Sequence, residues 1–208
     1  MILLGEKMIL CVDLDDTLAS SDKTINEYAI KFDKDILKRT TKIKKIDNCV
    51  DYYYFARMLN WDRNDLINFF EQCYPKYLND IKVKYGTRHY LQLIKELNIK
   101  IYIVTARKEI NNDQVKKITI NWLNKNKIYY DKLFINIGDK AKFLQKIKPD
   151  FYIDDSLKNC DSVEKILPST RVYLMNTKYN KNVKTNHIRI NSIKDFYYLV
   201  KDSDINER

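Results

Sequence analysis

Short apolar runs alternate with amphipathic helical periods through the second half of this chain, and that alternation leaves few architectures open. Met8-Ile9-Leu10-Cys11-Val12 is a nearly continuous apolar run, as are Lys100-Ile101-Tyr102-Ile103-Val104, Lys132-Leu133-Phe134-Ile135 and Phe151-Tyr152-Ile153. Arg171-Val172-Tyr173-Leu174-Met175 makes a fifth and His187-Ile188-Arg189-Ile190 a weaker sixth. Runs this short and this apolar suit strands buried on both faces. Between them Tyr90, Leu91, Ile94 and Leu97 share one helical face, as do Val115, Ile118, Trp122 and Leu123, then Phe143, Leu144 and Ile147. The expectation is an α/β fold: a parallel sheet with helices on both faces, and ligands at the carboxyl ends of its strands.

Residues 20–85 break the alternation. They are long, helical in pattern, rich in aromatic residues and without a convincing strand, which predicts an inserted helical subdomain. Val50 to Asn60 and Asp62 to Asn79 read as two of its helices, with the turn near Trp61-Asp62. The main domain is then residues 1–19 and 86–208, with residues 1–7 as a lead-in or an upstream start. A chain of 208 residues has room for one good core and a modest insertion.

The formal net charge of +10 suits a nucleic-acid partner or anionic small molecules such as phosphate esters. Lysines lie along the whole chain beside abundant Asn, Ile and Tyr, a mixture that resembles a genome-wide codon bias, so nucleic acid is not the favoured partner. Cys11, Cys49, Cys73 and Cys160 are far apart with no C-x-x-C pair, and His89 and His187 are the only histidines, which argues against a zinc site or a disulfide framework. No run of 18 apolar residues exists, and Met1-Ile2-Leu3-Leu4 is interrupted by Gly5-Glu6-Lys7. The expected protein is soluble and cytoplasmic, with no membrane partner.

The first apolar run ends in Asp13-Leu14-Asp15-Asp16-Thr17. In extended backbone Asp13 and Asp15 address the same space, and two like carboxylates there need a cation; magnesium, which takes hard oxygen ligands, suits a pocket that must also admit a phosphate. An ionised aspartate is a serviceable nucleophile toward phosphorus. Asp13 is the candidate nucleophile, and Asp15 the candidate acid and base that protonates the leaving oxygen and then deprotonates water. The plainer reading is an acidic turn that ends a strand and caps a helix. Thr105, after the second run, either donates to a phosphoryl oxygen or serves as a helix N-cap. Lys140 opens a helical period where its ammonium can bridge nucleophile and phosphate, with Lys142 as competitor. Asp154 completes a metal shell and Asp155 orients a metal-bound water, unless Asp-Asp is only a turn.

These four elements in this order resemble the haloacid dehalogenase superfamily of phosphatases. That resemblance implies a Rossmann-like fold with an inserted small helical cap, an aspartyl-phosphate intermediate, and a magnesium ion held by Asp13, the backbone carbonyl of Asp15, and Asp154, with Asp155 beside it. Ile103-Val104-Thr105-Ala106-Arg107, then Trp122-Leu123, Tyr130-Asp131, Asp139-Lys140 and Ile153-Asp154-Asp155-Ser156 are similar to the nucleotidase branch related to 5'(3')-deoxyribonucleotidases. Tyr179-Asn180 also resembles bacterial members, with Lys178 where proline is expected. The implied substrate is a small phosphate ester such as a nucleoside monophosphate; a nucleic-acid 3' end or a non-catalytic phosphate-binding role are the alternatives. Leu14, Thr17, Ala106 and Arg107 are the candidate substrate-contacting positions, Arg107 either touching substrate or tying its loop to an acidic neighbour. Tyr52-Tyr53-Tyr54-Phe55 with Arg57 either stacks on a base or fills the interior of the insertion.

Overall fold

The computed structural model describes residues 7–40, 54–109 and 113–206. Cys49, Tyr52, Tyr53, the first residues of the Val50 to Asn60 segment and residues 1–6 lie outside them. In chain order the elements are β1 (Ile9–Val12), β2 (Ala19–Ser20), α1 (Ser21–Asp35), α2 (Tyr54–Met58), α3 (Arg63–Asp80), β3 (Lys82–Val83), α4 (Thr87–Glu96), β4 (Lys100–Val104), α5 (Gln114–Lys125), β5 (Lys132–Phe134), α6 (Lys140–Leu144), β6 (Phe151–Asp154), α7 (Leu157–Ile166), β7 (Arg171–Met175), β8 (Ile188–Ile190) and α8 (Ile193–Asn206).

All six expected strands form one sheet in the order β5-β4-β1-β6-β7-β8, and every pairing is parallel. The chain leaves β1 toward β4 and β5, then returns to build β6, β7 and β8 on the other side. The order reverses at β1, which opens a crevice beyond its carboxyl end. Period-2 alternation divides the strand side chains between two cores. Leu10, Val12, Ile101, Ile103 and Ile153 pack with α4, α5 and α8 residues such as Leu91, Trp122 and Phe196. Cys11, Tyr102, Val104, Tyr152 and Leu174 pack with Ala141, Leu144, Cys160 and Val163 of α6 and α7. The result is the Rossmann-like α/β sheet with both faces covered.

Between β1 and α4 the reading without strands is corrected. β2 and β3 pair antiparallel, Ala19 with Val83 and Ser20 with Lys82, so a two-stranded ribbon joins the departing and returning chain. Two residues per strand are too few for an alternation to be visible in sequence. Inside this segment Phe32, Phe55, Trp61 and Phe69 make edge-on and tilted ring contacts at 5.3–5.9 Å between centroids. Phe55 therefore fills the interior of the helical segment, and Tyr54 places its hydroxyl on Asp22 and Asn26. α3 begins in a capping box: Asp62 accepts from the Asp65 amide at 2.9 Å and Asp65 accepts from the Asp62 amide at 3.2 Å. Arg39 grips the same Asp65 at 2.6 and 3.1 Å. No helix among the described residues is long and apolar enough to cross a membrane.

Candidate active site

Every candidate acid sits at the β1 or β6 end because those strands stop there. The Asp13 amide donates to the Ile153 carbonyl at 2.9 Å, which carries the sheet pairing one residue past β1 and brings Asp13 beside Asp154 and Asp155. The chain then turns through Asp16 at φ 54, and the amides of Leu18 and Ala19 donate to the Leu14 carbonyl at 3.0 and 2.9 Å. Asp13, Asp154 and Asp155 are buried, and one carboxylate oxygen from each falls within 4.8 Å of the other two.

Lys140, the first residue of α6, puts its ammonium between two of these acids: it donates to Asp13 Oδ1 and to Asp154 Oδ2, the latter at 2.7 Å. Burial opposes its charge, but Asp13 and Asp154 outweigh that and hold the ammonium well above its ordinary pKa. Lys142 is exposed, with its backbone amide taken by Asp139 at 3.0 Å, so of the two lysines it is Lys140 that α6 turns toward the strand ends. One ammonium does not balance three carboxylates. Burial, reinforced by the charges of Asp154 and Asp15, pushes Asp13 up to about 7 against the pull of Lys140, and burial together with Asp154 and Asp13 raises Asp155 well above the carboxylate range. This unmet negative charge fits a divalent cation held by Asp13, Asp154 and Asp155. The Asp15 side chain is not in that group; it turns to Arg107.

Thr105 is buried beyond β4. Its amide donates to the Phe134 carbonyl at 2.9 Å and its hydroxyl oxygen accepts from the Arg107 amide at 3.2 Å. α5 starts at Gln114 with Asp113 as its N-cap, so Thr105 is not a helix cap. The acidic-turn reading does hold for Asp16, whose Oδ1 accepts from the Asp22 amide in the first turn of α1 at 2.8 Å. Thr17 donates to Asp155 at 3.1 Å and so supports an acid of the cluster. Leu14 is wholly buried in the core, whereas Ala106 lines a cavity with Asp13, Asp15, Thr105, Lys140, Asp154 and Asp155.

That cavity has a volume of about 840 Å³, and α3 closes its far side with Leu66, Ile67, Phe70, Glu71, Tyr74 and Tyr77. Several contributors were given no role from the sequence, although Asn180 belongs to the Tyr179-Asn180 pair that carries a resemblance. Lys84, after β3, donates its ammonium to the Asp16 carbonyl and is half-buried. Asn180 donates to the Asp155 carbonyl at 2.7 Å and the Met175 carbonyl at 2.9 Å. Asn159 reaches Asp154 at 3.1 Å, and the Ser156 amide reaches it at 2.7 Å. Tyr152 donates to Asp154 Oδ2, and this contact was open to sequence reasoning: two residues apart in a strand, they share a face.

Comparison with known proteins agrees with this geometry. A family model of 5'-nucleotidases matches residues 71–179. The Oceanobacillus iheyensis protein named "Putative nucleotidase OB0422" is 24% identical over 186 residues, covering 83% of this chain and 89% of that one. Among solved structures, the haloacid dehalogenase-like hydrolase SP0104 of Streptococcus pneumoniae superposes with a TM-score of 0.63 at 11% identity, over 93% of this chain and 98% of that one. The Bacillus subtilis HAD-hydrolase YfnB, a structure bound to magnesium, gives 0.61 at 12% identity over 94% and 99%.

Proposed function

Since the chain belongs to the 5'-nucleotidase family, with the fold of haloacid dehalogenase hydrolases, we propose that it is a magnesium-dependent phosphomonoesterase of nucleoside monophosphates that works through an aspartyl-phosphate on Asp13. The observation that carries this reading is the meeting of Asp13, Asp154 and Asp155 within 4.8 Å, with the Lys140 ammonium on Asp13. Residues 20–85 act as a cap over a core of residues 1–19 and 86–208, and α3 is the part of the cap that faces the chemistry.

Bound magnesium would be held by Asp13, Asp154 and Asp155, with the Asp15 backbone carbonyl as a further oxygen donor, and would supply charge to offset the approaching phosphate. Asp13 attacks phosphorus, forming an O–P bond as the ester P–O bond breaks and the leaving oxygen takes a proton from Asp15. Lys140 holds one oxygen of Asp13 while the other reacts, and Thr105 donates its hydroxyl proton to a phosphoryl oxygen. Water then attacks phosphorus, the Asp13–phosphate bond breaks, and Asp15 takes the water's proton. Burial pushes Asp15 up, but the charge and hydrogen bonds of Arg107 outweigh it and leave this carboxyl below its ordinary pKa. That favours the base needed in the second step. The acid needed in the first is regenerated by the proton taken from water and is favoured when an anionic phosphate lies beside it.

A cavity of about 840 Å³ roofed by α3 suits a mononucleotide-sized ligand better than a polynucleotide end. Asp13→Asn is expected to abolish release of phosphate while leaving the circular dichroism spectrum unchanged. Retained magnesium-dependent turnover in that variant sinks the mechanism.

A further inference from the structure

We propose that Arg107 is a positioning residue, a fork that fixes the Asp15 carboxylate so that one open acceptor site on Oδ2 faces the reacting phosphate ester; this rests on the reading of Asp15 as the acid and base. Arg107 Nε donates to Asp15 Oδ2 and Nη2 donates to Oδ1, both at 2.8 Å, the bidentate geometry in which two planar groups define each other's orientation. Ser21 at the start of α1 donates its hydroxyl to Oδ1 as well. A carboxylate offers about two acceptor sites on each oxygen. Among the described residues both sites on Oδ1 are therefore taken, and Oδ2 accepts only from Nε.

The side chain of Asp15 keeps 21% exposure, and it lines the cavity that also holds Asp13 and Lys140. Its open Oδ2 site is the route by which a proton reaches or leaves the substrate.

The fork itself is rigidly seated. The Arg107 side chain is 1% exposed, and Nη1 donates to Thr119 of α5 at 3.1 Å. Its backbone amide donates to Thr105 Oγ1 at 3.2 Å, so the same residue orients the candidate phosphate-binding hydroxyl and the candidate proton carrier. Lysine in its place would keep a buried positive charge and lose the fork, because an ammonium has no planar pair of donors. Arg107 is thereby assigned an action through Asp15, with no contact of its own to the phosphate.

The test separates orientation of Asp15 from general stability by changing the leaving group. With enzyme in excess and magnesium present, single-turnover release of the leaving group isolates the first step. A nucleoside monophosphate needs a proton on its departing alkoxide; p-nitrophenyl phosphate, whose phenolate leaves readily, does not. Asp15→Asn sets the benchmark, with a large loss on the nucleotide and a small one on the aryl ester. Arg107→Lys is expected to slow the nucleotide about 10²-fold and the aryl ester far less, and Arg107→Ala to regain part of its nucleotide turnover in free guanidinium. Equal losses on both substrates, or a change confined to KM, overturn the clamp. If Asp15→Asn discriminates the two substrates and Arg107→Lys does not, only the clamp fails; if Asp15→Asn does not discriminate either, or the unmodified chain turns over neither, the reading of the site fails and takes the clamp with it.

Discussion

Lys140 and Lys142 show how much a single position in a helix decides. The two are chemically alike and two residues apart, yet one has both hydrogen-bonded carboxylates of the cluster against it and the other is in solvent. Lys140→Met is expected to lower kcat by about 10²–10³-fold while Lys142→Met leaves it nearly unchanged, as steady-state assays would show. In cation-free protein Lys140→Met should also cost about 3–5 kcal/mol in urea unfolding, because it leaves buried carboxylates without their counter-charge. At this scale the positions of Asp13, the late aspartates, Thr105 and Lys140 were legible, because each stands where an apolar run stops or a helical period starts. Lys84 was not: nothing in its neighbours distinguishes a lysine that turns inward from the many that do not. Asn180 was marked only by the resemblance of Tyr179-Asn180, and its carbonyl partners Asp155 and Met175 were not legible.

Among elements, α3 separates the insertion's packing from its use. One face carries Phe69, which is fully buried among rings, and another presents Ile67, 45% exposed, to the cavity. An exposed apolar side chain opposite the charged floor of Asp13, Lys140 and Asp154 is suited to the uncharged part of a phosphate ester. Ile67→Asp is expected to raise KM for a nucleoside monophosphate by about tenfold, equivalent to about 1.4 kcal/mol of binding, with little change in kcat; a matching fall in kcat would move Ile67 from substrate contact to the reacting geometry. The six strands of the main sheet were readable from sequence since strands buried on both faces are apolar throughout. The ribbon of β2 and β3 was not, because two residues have no period. Its pairing is set instead by contacts between residues far apart, such as the Lys84 amide on the Leu18 carbonyl at 2.9 Å and the Lys84 ammonium on the Asp16 carbonyl.

For the molecule as a whole, the acid cluster is expected to couple stability to pH and to cations. Asp13 and Asp16 are both pushed from an ordinary 3.8 up to about 7, chiefly by burial, and burial also raises Asp155 well above the ordinary carboxylate range. Between pH 5 and 8 the folded chain then holds protons that the unfolded chain has released. A raised carboxyl pKa makes its stabilising contribution at low pH and loses it as pH climbs through about 7, so the sign of the slope is negative. Melting of the cation-free protein should fall from pH 5 to pH 8. Magnesium should raise the midpoint more at pH 8 than at pH 5, with a total stabilisation of about 2.7 kcal/mol wherever it is present at a hundred times its Kd. A melting temperature that is flat across this range, or a magnesium effect larger at pH 5, would contradict the assignment of the cluster as the cation site.

The order of apolar runs and helical periods already dictated a covered parallel sheet, since those periods say which side chains must leave water and strands of that composition have nowhere else to go. The same order placed Asp13, Thr105, Lys140 and Asp154 at ends of elements, where a parallel sheet collects its ligands. What only the tertiary structure decided is which partner each of them finds. Arg107 lies 92 residues from Asp15 along the chain, and Lys140 lies 127 from Asp13. A polar side chain carries no sequence record of the neighbour that satisfies it, because burial is imposed by the packing of the apolar residues around it and hydrogen bonding then selects among whatever groups the fold has brought within reach.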